Sequence, residues 1–279
     1  DRVIDGELDG AHMLAGQPLG ATIGFGTKAD VITAFSMDLN GNGITVSNKI
    51  WEQMKVNIPH EGGKPVHPIK ADYLKPVVEK YKEEGKPFKM GMVFPVSTHN
   101  YELRYWLAAG GIHPGYYAPH KGDTSGTIDA DALLSVTPPP QMPATLEAGT
   151  IYGYCVGEPW NQLAIANGTG HVLITSYEIW NNAPDKVLGV NKEWAYNHPN
   201  THKAVIKALI DAASWIDDDN NRQECAEIIS QDIYINVPVE IIQAPLMGLY
   251  HYHFNQQPVS IPEFNVFFHH CATFPWHSQ

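Results

Sequence analysis

The chain has 279 residues, 30 of them acidic against 18 basic, for a formal net charge of −12. That balance, with no run of lysines or arginines, makes nucleic acid and anionic membrane poor partners, and the length suffices for one large domain or two lobes, each with its own core. Cys155, Cys225 and Cys271 are far apart and odd in number, which argues against a disulfide framework.

No apolar stretch approaches the ~20 residues that span a bilayer, and the first residues lack a basic start followed by an apolar run. "DRVIDGELDG" reads as the last turn of a helix, a glycine stop and a following strand, so amino-terminal elements are expected upstream. "LDGAHML", "ADVITAFSMDL" and "GNGITVS" then predict three strands, and Leu74, Val77, Val78 and Tyr81 a helix over 72–81 capped by Asp72. "FKMGMVF" is a nearly continuous apolar run, as in a parallel strand covered on both faces. The next helix carries Leu103, Trp106 and Leu107 on one face and stops at Gly110 and Gly111.

"ALLSVTPPP" predicts a strand with a rigid exit, "QMPATLEAGT" a helix, "IYGYCVG" and "HVLITSYEIW" two more strands. This alternation is an α/β pattern. From residue 191 the character changes: "PNTHKAVIKALIDAASWIDDD" predicts a long helix capped by Asn200 or Thr201, with Val205, Leu209, Ala212 and Ile216 along its buried side. The tail from 255, rich in proline and aromatics, is expected to wrap a surface and return over the first lobe. Residues 6–20 and 149–162 share a plan of glycine stop, short strand, then Gly-Gln-Pro or Gly-Glu-Pro, which points to two similar halves with a cleft between them.

In an open parallel sheet, ligands bind beyond the carboxyl ends of strands, where the next helix begins. "PVSTHN" (95–100) lies at such a joint. A helix amino end offers amides without intrahelical acceptors and about half a positive charge, which suits a small anion; Ser97 and Thr98 add hydroxyls, and His99 a ring N–H. The simpler alternative is that Ser97 or Thr98 caps the helix while His99 packs. Gln17, after Gly16 and before Pro18, is expected on extended backbone with two neutral donors aimed by a rigid neighbour. Glu158 in "GEPW" would repel an anion unless a cation or a protonated ligand compensates it; equally, it caps the helix starting near Trp160. There is no GxxxxGK[ST], GxSxG or HExxH, and His251, His253, His269 and His270 lack cysteine or carboxylate partners at metal-ligand spacing.

"MVFPVSTHNYELRYWLAAGGI", "VTPPPQM" and "YGYCVGEPWN", with "DGAHML", "LNGNGITVS" and the "FNVFF...ATFPW" tail, together resemble the nitrate- and bicarbonate-binding proteins of ABC importers, more distantly the sulfonate-binding ones. The resemblance implies a two-lobed periplasmic-binding-protein-like fold of type II, with 1–42 and 175–279 as lobe 1 and 43–174 as lobe 2. It implies a non-enzymatic role: capture of nitrate, with nitrite as a second ligand, at Gly16, Gln17, Ser97, Thr98, His99 and Glu158. It also implies ABC importer permease subunits as partners, and a location in the periplasm or tethered to the outer face of the plasma membrane. A ligand-facing Glu158 would instead favour bicarbonate shared with calcium. A third reading is an anion-sensing regulatory domain of the importer ATPase subunit.

Overall fold

Strand β1 (Gly10–Leu14) is followed after one residue by helix α1 (Gly16–Ile23) in the computed structural model, which describes residues 2–115 and 129–274. Ahead of β1 the chain makes a helix-end turn at Gly6 (φ 75°), with Gly6 N donating to Val3 O at 3.3 Å and Glu7 N to Arg2 O at 2.9 Å, the glycine stop that the sequence predicted. The chain continues through β2 (Val31–Ser36), the two-residue β3 (Leu39–Asn40) and β4 (Asn42–Ser47), so that β1, β2 and β4 are the three predicted strands. Ser47 Oγ then accepts from Ile50 N and starts α2 (Asn48–Met54).

A short hairpin, β5 (His60–Glu61) and β6 (Lys64–Pro65), leads to α3 (Lys75–Glu83). Asp72 does not cap this helix: it lies in a preceding 3-10 turn, and Pro76 sets the start three residues later because proline at the first turn needs no acceptor for an amide. There follow β7 (Phe88–Met92), α4 (Thr98–Ala109), β8 (Ala132–Val136), α5 (Met142–Glu147), β9 (Gly153–Gly157), α6 (Trp160–Ala166), β10 (Gly170–Thr175) and α7 (Ser176–Ile179).

These strands form a five-stranded sheet in the order β10-β4-β9-β7-β8. β7 runs parallel to both its neighbours, as its apolar run predicted, whereas β4 is antiparallel to β9 and β10. The sheet is therefore mixed rather than parallel throughout, because the chain enters it through β4 and leaves it through β10. Its core comprises Ile44, Met54, Leu74, Phe88, Met90, Leu103 and Leu107, all fully buried.

The second body holds β1-β11-β2, antiparallel, with β11 (Lys186–Asn191) in the centre. Behind it come α8 (Lys192–Asn197) and α9 (Pro199–Ile216). α9 has no side-chain cap: Asn200 and Thr201 lie inside its first turn, after Pro199. Its buried stripe is Ile206, Leu209, Ile210 and Ala213, while Val205 and Ala212 face out. Leu209 and Ile216 pack inward as the pattern predicted, whereas Val205 and Ala212 do not, because the helix is apolar over so wide an arc that the pattern alone does not fix the edge of its inner face.

The rest is α10 (Arg222–Ile229), α11 (Val239–Leu246) and the short strands β12 (Leu249–Tyr250), β13 (Val259–Ser260) and β14 (Asn265–Val266). The tail touches both bodies: Tyr252 O accepts from Val172 N of β10, β14 pairs with β3, and Thr273 O accepts from Ser36 N of β2. Pro275 and Trp276 lie outside the described residues.

Candidate functional site

The two bodies meet where α1 and α4 begin. A Cβ on Gly16 would stand 2.1 Å from Val96 O, so the amino end of α1 abuts the backbone just ahead of α4. Ala15 supplies no side-chain cap to α1, which leaves the amides of the first turn and their partial positive charge without a side-chain acceptor. Gln17 sits in that turn, not on the extended backbone its flanking residues suggested; helix N1 to N3 tolerates Pro18. Its Oε1 accepts from Leu14 N at 2.9 Å. The residue lines a cavity of about 690 Å³ shared with His12, Phe25, Phe94 and Val96.

The hydroxyls at the start of α4 are engaged. Ser97 Oγ donates to Phe94 O at 2.6 Å and accepts from Asn100 N at 3.1 Å, so Ser97 is the cap. Thr98 Oγ1 donates to Pro184 O at 3.0 Å and draws α4 against the segment entering β11. That contact carries His99 inward. Its ring is 2% exposed, does not line the cavity, and has Nδ1 without a hydrogen-bond partner among the described residues, 3.9 Å from Oδ1 of Asp185, which likewise has none among them. Nε2 faces Gly157, where an added Cβ would lie 3.8 Å away.

Glu158, next to Gly157, turns elsewhere. Its Oε1 accepts from Tyr250 OH at 2.6 Å and its Oε2 from Gln162 N at 3.0 Å, so it caps α6 and ties that helix to β12. Calcium asks for six to eight oxygen ligands; here both oxygens meet donors, and among the described residues no group of three or more His, Cys, Asp or Glu is placed to hold a metal. The donor set does not fit calcium.

Behind His99 lies a polar knot from five chain segments. Lys186 Nζ contacts Asp185 Oδ2, Asp38 Oδ1 accepts from Lys186 N at 2.8 Å, and Glu102 Oε2 accepts from Asn42 Nδ2 at 3.3 Å and Cys155 Sγ at 3.8 Å. Burial, then the nearby Lys186 ammonium, pushes His99 well below the ordinary histidine range, so the ring is neutral. Burial raises Glu102 to about 8 and Glu158 to about 7, and lowers Lys186 against the pull of Asp38 and Glu102. What remains is one ammonium among carboxylates, with neutral hydrogen-bonding groups around it.

A carboxyl raised on folding stabilises the native state fully below its unfolded value and loses that contribution as pH rises through the folded one. The contribution of Glu102 and Glu158 to stability is therefore expected to fall between pH 5 and 9. Glu102→Gln, which keeps an acceptor for Asn42, should remove most of that slope. The gain should approach about 5 kcal/mol at pH 9, since the rise of Glu102 from 4.5 to about 8 is about three and a half tenfold changes in a proton's affinity, each worth about 1.4 kcal/mol. Urea midpoints across that pH range measure it.

The profile of the NMT1-like family matches residues 1–230. The chain belongs to the NMT1-like family. It is 35% identical over 281 aligned residues to the nitrate import ATP-binding protein NrtC of Synechocystis, covering 100% of this chain and 38% of that protein. It is 38% identical to the bicarbonate transport ATP-binding protein CmpC of the same organism, covering 87% of this chain and 32% of that one. The crystal structure of the periplasmic nitrate-binding protein NrtA from Synechocystis matches with a TM-score of 0.82 and 27% identity, over 99% of this chain and 66% of NrtA. The two-lobed solute-binding fold is thus shown, and the chain spans about a third of the length of the two curated relatives.

In this NMT1-like chain Gly16, Gln17, Ser97, Thr98 and His99, singled out from local sequence, come to one junction, whereas the Glu158 carboxylate is turned to Tyr250 and Gln162. Asn42, Glu102, Asp185 and Lys186 were missed. For Glu102 a signal existed: it lies four residues from both Thr98 and Trp106, on the buried stripe of α4. The others carry no local signal, because their neighbours come from distant segments.

Proposed function

We propose that this chain captures a small oxyanion, nitrate with nitrite as a second ligand, between its lobes as the solute-binding part of an ABC importer. The carrying observation is the uncapped amino end of α1, with Gln17 on the cavity wall, set directly against the segment that opens α4. Nitrate is planar and unprotonated at neutral pH, so it needs N–H donors and helix amino ends, the groups this junction offers. Glu158 favours nitrate over bicarbonate, since its two oxygens are held by Tyr250 and Gln162 and do not reach toward His99. No catalytic chemistry is required, and the partners are permease subunits that recognise the closed lobes from the outer face of the membrane.

A second reading has its own support: the match to NrtC runs along the whole chain, so the same anion site serves equally as a sensing domain of an importer's ATP-binding subunit. A P-loop in the full gene product would assign the chain to that place.

Calorimetry with nitrate, nitrite and bicarbonate, each with and without calcium, tests the ligand. Saturable heat with nitrate, independent of calcium, is the expected result, with Gln17→Ala weakening it about tenfold, as for one hydrogen bond to an ion. Silence with nitrate and calcium-dependent heat with bicarbonate would overturn the assignment.

A further inference from the structure

The edge strand β10 is covered by two segments far apart in sequence. Its register shifts between Val172 and Ile174, and at this bulge Val172 N donates to Tyr252 O while Leu173 O accepts from Ile69 N, both at 2.9 Å. Three histidines bridge the seam: His67 on the loop before Ile69, His253 beside Tyr252, and His171 in β10 itself. His67 Nδ1 lies 3.2 Å from Leu173 O, His67 Nε2 2.9 Å from His253 Nε2, and His253 Nδ1 2.8 Å from His171 Nδ1.

One order of protons satisfies every contact. A carbonyl only accepts, so His67 carries its proton on Nδ1; its neutral ring then accepts at Nε2, so His253 donates from Nε2. His253 in turn accepts at Nδ1, so His171 donates from Nδ1. His253 faces its two partners with opposite nitrogens, so no single metal ion can hold all three rings.

The surroundings are aromatic and mostly dry. Trp51 stacks on His171 at 4.8 Å between ring centres and lies tilted against His253 at 4.6 Å, and Tyr252 lies 3.9 Å from His67. The charged and titratable groups that face the chain are Glu52 and Lys55 toward His171 and His60 toward His253. Burial holds His67 and His171 near 4 and His253 near 3.

We infer that His67, His253 and His171 form a proton-ordered clasp that holds residues 67–69 and 250–254 on the edge of β10, stays closed with one extra proton and opens with a second. The first proton enters at His171 Nε2, which has no partner among the described residues, and the ring still donates from Nδ1. A second must occupy a nitrogen that is already accepting, His253 Nδ1 or His67 Nε2, and turns a hydrogen bond into two opposed N–H groups. Opening bares the amide of Val172 and the carbonyl of Leu173, an unpaired strand edge of the kind that recruits another chain. Neutral in the fold and ordinary when unfolded, these rings stabilise the native state above about pH 6.5 and lose that contribution as pH falls toward 4.

The full chain is the sample. Nitrogen–proton correlations of the rings at pH 7.5 should show protons on Nδ1 of His67 and His171 and on Nε2 of His253. Amide exchange at Val172 and Ile69, relative to intrinsic rates, should quicken at least tenfold between pH 6 and pH 4 while that of Met90 stays unchanged. His171→Leu removes the donor to His253 Nδ1 and with it the N–H that would oppose a proton there, so His253 should protonate at least one pH unit higher. A different proton order, Val172 protection that persists after His253 has titrated, or stoichiometric zinc shifting all three rings together would overturn the clasp. Should His171→Leu fail to fold, ring tautomers and exchange in the unchanged protein decide. None of these readouts depends on which anion the lobes capture.

Discussion

Gly16→Ala is expected to lower stability by about 3 kcal/mol, the upper end for overpacking, and to weaken anion binding at least tenfold. The added Cβ meets Val96 O at 2.1 Å and Val96 C at 3.1 Å, backbone atoms that no rotamer change can remove. Relief requires α1 to back away from the start of α4, which moves Gln17 and the first-turn amides of α1 off the junction. Gly20→Ala is the matched control: it lies in the same helix over the same residue, but its Cβ would stand 3.4 Å from Val96 Cγ1, an ordinary contact. That variant should be neutral or gain a few tenths to about 1 kcal/mol from its better helix propensity. Urea midpoints and nitrate calorimetry on both variants check this, and an unshifted midpoint for Gly16→Ala would show that the lobes do not meet there.

Asp217→Ala is expected to cost about 4 kcal/mol, because it strips the acceptor from a buried cation and three backbone amides at once. Asp217 Oδ1 accepts from Arg222 Nη2 at 2.9 Å and Phe267 N at 3.0 Å, and Oδ2 from Phe268 N at 2.7 Å and His269 N at 2.8 Å. Its side chain is 1% and that of Arg222 6% exposed. The knot fastens the tail to the end of α9, so the alanine variant should also show early proteolysis around residue 268. Asp217→Leu combined with Arg222→Met removes both charges together and should cost less than Asp217→Ala alone, since no ion is left buried without a partner. Denaturation of the three proteins measures the order; equal losses would mean that the amides, not the guanidinium, dominate.

The relation of Glu158 to the ligand shows how a local pattern and a fold divide the work. Gly-Glu-Pro after a strand marked a strand-end joint, and β9 does end at Gly157 before α6. The direction of the carboxylate was not readable there, because Tyr250, which holds it, is 92 residues away. The three histidines of β10's seam teach the same lesson: His251 and His253 are neighbours in sequence, yet His253 bonds His67 and His171, while His251 faces Gln256 O at 3.2 Å.

By itself, the amino-acid order determined the α/β class, the three strands before residue 48, the covered strand over 88–92, the Ser97 joint and the likeness to anion-binding importers. These are properties of apolar period, of glycine and proline punctuation, and of short contiguous motifs, all of which act over a few residues. Only the tertiary structure decided that the larger sheet is mixed, that α9 buries Ile206 and Ala213 rather than Val205 and Ala212, that Glu158 serves Tyr250, and that Lys186, Asp185 and Glu102 converge behind His99. Each of those outcomes turns on which distant surface comes to rest on a residue, and hence on how burial and charge are shared across segments that no local pattern joins.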